Sequence, residues 1–271
     1  MSKAFFIKDK AYFGSYPTQD QINEMEKDGF VLFVNLTRDN ERKIIPYKTN
    51  KTYIQFPVKD RGIPLELNLF AKLALVCIDK IRGLNEDQKI YIHCKGGHGR
   101  SGVLVSIILS YMFSISPEKA MEYTNKYHGT REMREKWKRI GSPQTHQQKE
   151  FVKSFCREIL VSKNTRYRGL LNDANYPFYV PAIGNFNNIE IALVKIKPKK
   201  GKFLDVLFEL LKLKFSQHPE LYELLLQTNL GRIYCYLEGD NYMGCGDSHT
   251  EQNVLGKTLE KLRAFYLDLL Q

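Results

Sequence analysis

The 271-residue sequence predicts an α/β fold, a central sheet flanked by helices, followed by a smaller, mainly helical C-terminal region. Three observations carry that expectation. Apolar, β-branched runs alternate with helical-period segments up to about residue 158, as in a sheet covered by helices. Residues 30–36 (Phe-Val-Leu-Phe-Val-Asn-Leu) are almost continuously apolar, as in a strand covered on both faces. Residues 89–109 run from strand to glycine-rich loop to helix, which puts a ligand at the carboxyl end of a strand.

The elements follow in order. Residues 11–14 make a short strand stopped by Gly14, and residues 15–18 a turn. Thr18 caps a helix through residues 21–25, with Gln21 at the capping-box position. Strands are expected at 30–36 and 52–58. A helix over 64–82 spaces Leu69, Phe70, Leu73, Val76, Cys77 and Ile81 near the helical period, which makes Cys77 a core residue. Residues 89–93 feed the loop, and 103–109 have the pattern of a buried helix. Residues 131–139 interleave Arg and Lys with Glu, as on a solvated helix with local ion pairs. Residues 141–152 open the last helix of this region, with Thr145 as a cap. His128 and His146 sit in no motif and are expected at the surface. The polar stretch 162–169 predicts a linker. The division expected is therefore 1–160, a linker or irregular segment over 161–202, and 203–271, whose helical pattern Pro219 interrupts.

Composition narrows the class. Hydrophobic content of 43% and aromatic content of 12% belong to a globular chain. The net charge of +11 favours anionic partners, but scattered lysines without aromatic-basic alternation do not mark a nucleic-acid groove. The apolar run 103–113 is too short to span a bilayer, and no leader pattern follows Met1. Five scattered cysteines fit a reducing compartment, and none has zinc-site spacing. An intracellular, soluble protein of the cytoplasm or nucleus, without metal or cofactor, is expected.

The chemistry concentrates in His93, Cys94, Lys95, Gly96, Gly97, His98, Gly99, Arg100, Ser101 and Gly102. Glycines let loop N–H groups turn inward, the helix start adds positive partial charge, and Arg100 offers a planar two-pronged donor matched to phosphate. A thiol in that field is held as thiolate, and a nucleophile beneath a phosphate-sized cradle implies a cysteinyl-phosphate. The alternative is an inert buried cysteine in a glycine-rich turn.

This string resembles the signature loop of the protein-tyrosine and dual-specificity phosphatases, and the order of elements over residues 1–158 is similar to theirs. The resemblance implies Cys94 as nucleophile, Arg100 as phosphate clamp, and Ser101 as the hydroxyl that bonds the sulfur. It implies that Lys95, Gly96, Gly97, His98 and Gly99 line the phosphate cradle. His93 would orient the loop and help keep Cys94 ionised. Hydrolysis also needs an acid for the leaving oxygen. The loop 56–64 carries Asp60, 34 residues before Cys94, a spacing that resembles the family's acid loop. The other reading is that Asp60 caps the helix expected at Pro64. Residues 141–152 resemble the glutamine-bearing segment that positions the hydrolytic water, which points to Gln144 and Gln147.

The substrate expected is a phosphoprotein carrying phosphotyrosine, with phosphoserine and phosphothreonine open to a shallow site. Lys95 and His98 make the loop basic, so phosphoinositides and RNA 5′-triphosphates remain alternatives of the same fold. A silent phosphate-binding module is the alternative from a different class. Beyond residue 203, Lys214-Phe215-Ser216-Gln217-His218-Pro219-Glu220-Leu221, residues 240–246 and residues 252–257 resemble the later half of the NADAR (NAD- and ADP-ribose-associated) family. Met243 stands where that family has tryptophan, and its first half has no counterpart here. A truncated, non-catalytic binding or packing module is expected, with Asp240 and Asn253 the residues that test an active glycosidase.

Overall fold

The structure is a computed structural model that describes residues 2–39, 41–199, 201–246 and 251–270. The chain divides into two compact units, Met1–Arg157 and Glu158–Gln271.

The first unit is built on a five-stranded sheet of order β1-β2-β5-β3-β4. Its elements are β1 (Lys3–Ile7), β2 (Ala11–Gly14), α1 (Gln19–Lys27), β3 (Phe30–Asn35), β4 (Thr52–Gln55), α2 (Leu67–Arg82), β5 (Lys89–His93), α3 (Arg100–Phe113), α4 (Pro117–Gly129), α5 (Glu135–Ile140) and α6 (His146–Phe155). β1 and β2 are antiparallel, while β2, β5, β3 and β4 run parallel. The central strand β5 buries Ile90, Tyr91 and Ile92 completely. Each such apolar side chain contributes about 1.5–3 kcal/mol by leaving water.

β1 is absent from the sequence expectation. It forms because Ala4 and Phe6 alternate with more exposed neighbours and turn into the core, the period-2 pattern of an edge strand. Thr18 caps α1 with the capping box to Gln21. β4 stops at Gln55, three residues short of the expected strand end. α2 starts at Leu67 and not near Pro64, with Glu66 as a cap that makes no side-chain hydrogen bond, so Asp60 is not its cap. α3 is buried continuously from Arg100 through Ser110 and packs against α2, α4 and α6. It stops at Ser114, in the left-handed region. Its buried Ser106 hydroxyl donates to Thr124 Oγ1 of α4 at 2.9 Å, so the apolar helix carries its polar atom at no loss.

The second unit holds β6 (Ile159–Val161), β7 (Phe178–Val180), β8 (Gly184–Phe186), α7 (Ile189–Ile196), α8 (Phe203–Gln217), α9 (Pro219–Leu226), β9 (Ile233–Cys235) and α10 (Val254–Asp268). β6 pairs in parallel with β9, and β7 with β8 as a hairpin. Residues 161–196 are thus folded, where polarity alone suggested a linker. Leu170, Leu171, Phe178 and Ile189 are buried and anchor them. Pro219 does break the helical run, at the junction of α8 and α9.

Candidate active site

β5 ends at His93, and the chain turns through residues 94–99 into α3, so Cys94 lies at the carboxyl end of the central strand. Gly97 has φ of +71°, and a Cβ there would stand 2.3 Å from the Gly14 carbonyl carbon; only glycine permits this turn. Gly97 N–H then donates to Cys94 Sγ at 3.3 Å, and Ser101 Oγ lies 3.5 Å from the same sulfur. Burial alone would push the Cys94 thiol up. The Arg100 guanidinium, the Ser101 hydroxyl and N–H and the Gly97 N–H outweigh it and hold the thiol below its ordinary range. Burial pushes Cys77 up to about 12. Cys94 is therefore expected to take up iodoacetamide at pH values below those an ordinary thiol needs, because its thiolate persists as pH falls. Peptide mapping of the alkylated protein checks this, with Cys77 the silent internal control.

Arg100 is buried and fully engaged. It donates to Val58 O at 2.9 Å, to both carboxylate oxygens of Glu41 and, through Nη2, to Asp60 Oδ1 at 3.0 Å. Glu41, which burial would push up, is held below the carboxylate range chiefly by its hydrogen bond from Arg100. Asp60 shares the cleft with Cys94, and its side chain is 63% exposed. The cleft measures about 310 Å³ and is lined also by Lys95, Gly96, His98, Gly99, Trp137 and Gln144.

Several placements depart from expectation. His93 is buried and neutral, because burial pushes it down to about 3, so it lends no charge to Cys94. Its Nε2 meets Tyr47 Oη at 2.7 Å. His128 is not at the surface but fully buried, with Nε2 2.7 Å from His98 Nδ1. His98 stacks on Trp137 and, mainly through burial, is pushed down to about 4. Lys95 Nζ donates to Arg42 O at 2.6 Å. The loop is thus less basic than its sequence suggests, because His98 is pushed toward its neutral form.

Gln144 reaches the cleft, whereas Gln147 is exposed and lines a neighbouring groove. The glutamine that matters for the architecture is Gln148. It completes the capping box of α6 with Thr145 and donates through Nε2 to Gly62 O at 2.9 Å, tying the Asp60 loop to α6. A Cβ on Gly99 would come within 2.8 Å of its amide. Gln148→Ala is expected to cost about 1–3 kcal/mol in urea unfolding, since a cap partner and a buried hydrogen bond go together.

Arg131 belongs to no helix-surface ion pair. It is buried and donates to Gly97 O, to Gly96 O at 3.0 Å and to Ser2 O at 3.1 Å, bracing the loop carbonyls so that the N–H groups face the cleft. Glu41, Arg131 and Gln148 were each missed. The capping-box spacing of Thr145 and Gln148 was the one local signal available.

The loop between β5 and α3 thus sets Cys94, its thiol held below the ordinary range, and the buried Arg100 in the wall of one cleft. The family described as "PTP-SAK: Swiss Army Knife protein, DSP-PTPase phosphatase domain" matches residues 9–152, and the chain belongs to it. It is 33% identical over 272 residues to "Putative tyrosine phosphatase 197R" of Invertebrate iridescent virus 6, a match covering 97% of this chain and 91% of that one. It is 37% identical over 161 residues to "Putative tyrosine phosphatase 067L" of Invertebrate iridescent virus 3, covering 58% and 67%. Among solved structures, Tk-PTP in its active form is similar over 56% of this chain and 94% of that one, at 24% identity and a TM-score of 0.45.

Proposed function

We propose that the first unit is a cysteine-dependent protein phosphatase, of tyrosine or dual specificity, working through a cysteinyl-phosphate. The observation that carries this reading is the Cys94 sulfur, which receives the Gly97 N–H at 3.3 Å and lies 3.5 Å from the Ser101 hydroxyl on the wall of an arginine-backed anion cleft. In the reaction, phosphate oxygens take the Arg100 Nη2 that now serves Asp60, which frees the Asp60 carboxyl. Cys94 thiolate attacks phosphorus, the S–P bond forms, the P–O bond of the ester breaks, and Asp60 gives its proton to the leaving oxygen. The Asp60 carboxylate then takes a proton from water as it attacks phosphorus. The S–P bond breaks, phosphate leaves and the thiolate returns. Ser101 supports the sulfur in both steps, and Gln144 stands in the cleft to orient that water.

The substrate in this reading is a phosphoprotein. With His98 pushed toward its neutral form, the cradle offers less charge to the second and third phosphates of a 5′-triphosphate RNA or a polyphosphoinositide. Asp60→Ala is expected to slow phosphopeptide turnover by about 10² to 10⁴-fold and to slow aryl phosphates with good leaving groups less. The direct test is phosphate release from phosphotyrosine peptide, phosphothreonine peptide and 5′-triphosphate RNA in EDTA. Turnover of RNA alone would move the function to 5′-end processing.

For the second unit we infer a NADAR-like packing or binding module without glycosidase chemistry. Asp240 Oδ1 is spent on the N–H groups of Tyr242 and Met243, at 3.0 and 2.9 Å. Asn253 is spent on Cys235 N–H at 3.0 Å and Ile233 O at 2.7 Å. The burial of all five cysteines as separate thiols supports the reading that the protein works in a reducing, intracellular compartment.

A further inference from the structure

Asp60 and Arg61 line two hollows at once. One is the cleft over Cys94; the other is a groove of about 680 Å³ on the far side of the same loop. The groove is lined by Phe56, Ile63 and Leu65, and Leu65 is 79% exposed, more than an apolar side chain gains from. Around these stand Arg38, Lys59 and Arg61, exposed, with no side-chain hydrogen bond or ion pair among the described residues. Beside Asp60, which is held by Arg100, Glu66 is the one carboxylate in the groove wall, so the wall is net positive. The groove is also preformed. Gly62 N–H donates to Lys59 O at 2.9 Å, Gly62 O receives Gln148, and Arg61 holds a left-handed φ of 60°.

Unpaired cations around apolar side chains are complementary to a peptide carrying both acidic and apolar residues. The hollow adjoins the phosphate cleft across two residues, so one extended chain can occupy both. We propose that this groove binds an acidic, partly apolar segment flanking the phosphorylated residue of a protein substrate. The inference rests on the phosphoprotein reading above. A lipid fits less well, since Arg38 and Lys59 line the groove and not the cradle where a headgroup would sit.

The test uses the full chain with Cys94→Ser as the binding form. Fluorescence anisotropy compares one phosphotyrosine peptide with Asp, Glu and Leu flanks against the same peptide with Gly and Ser flanks. Phosphatidylcholine vesicles carrying a phosphatidylinositol monophosphate are the third probe. The acidic peptide is expected to bind about tenfold tighter, a preference lost in R38E/K59E and weakened in L65S. In chains retaining Cys94, both variants should hydrolyse para-nitrophenyl phosphate at the wild-type rate, which shows that they are folded. Equal affinity for the two peptides overturns the proposal, as does binding in which only the vesicles depend on Arg38 and Lys59. Failure of the wild type to hydrolyse para-nitrophenyl phosphate would count against the phosphatase reading instead, because the peptide comparison needs no turnover.

Discussion

Cys94→Ser is expected to abolish phosphomonoester hydrolysis while leaving phosphopeptide binding intact. The sulfur lies within reach of the Gly97 N–H and the Ser101 hydroxyl, and Arg100 completes a field that favours its anion. A serine hydroxyl in the same place ionises far above neutral pH, so the nucleophile vanishes while the cradle persists. Loss of a covalent nucleophile removes the intermediate itself, so turnover should fall by at least about 10⁴-fold, the scale of losing a nucleophile that works as a unit with its partners. Steady-state phosphate release and equilibrium binding of the same phosphopeptide read the two halves of the expectation. A variant that lost both would indicate a collapsed loop, and retained turnover would exclude Cys94 as nucleophile.

Arg100→Lys is expected to be nearly as severe. The guanidinium spans Val58 O, both oxygens of Glu41 and Asp60 Oδ1 from one buried position, and a planar fork is required to do so. An ammonium offers one point of charge and cannot both satisfy Glu41 and clamp phosphate. Leaving the Glu41 carboxylate without its bidentate partner in a mostly buried place adds a stability cost of about 3 kcal/mol or more. The expected result is a fall of about 10³-fold or more in kcat/KM, with a lower midpoint in urea. Glu41→Gln should restore part of the midpoint to Arg100→Lys without restoring turnover, since it removes the stranded charge and not the missing fork.

What the sequence made legible follows from distance along the chain. Cys94, Ser101 and Arg100 sit within one local string whose glycines, strand and helix announce a cradle. Asp60 stands out because the loop between Phe56 and Pro64 offers a single acid, and the structure puts it in the wall of the cleft with Cys94. Glu41, Arg131 and Gln148 act on that string from 53, 37 and 54 residues away, and each lies in a polar stretch where one more charge or amide carries no signal. His128 misled for the same reason: its burial depends on His98 closing over it, which no periodicity in α4 records. In the second unit, the buried apolar residues of 161–202, such as Leu170, Phe178 and Ile189, follow no steady helical or strand period among the asparagines and lysines around them. β1 was hidden by the charged residues around it, Lys3 before and Lys8 and Asp9 after.

The central claim is that phosphate passes through Cys94, and trapping that adduct tests it most directly. The protein would be mixed with a radiolabelled phosphotyrosine peptide, quenched in acid within milliseconds to seconds, digested and mapped. Label is expected on the peptide containing Cys94 and absent in Cys94→Ser. Turnover without label on that peptide, or label on another residue, would contradict it.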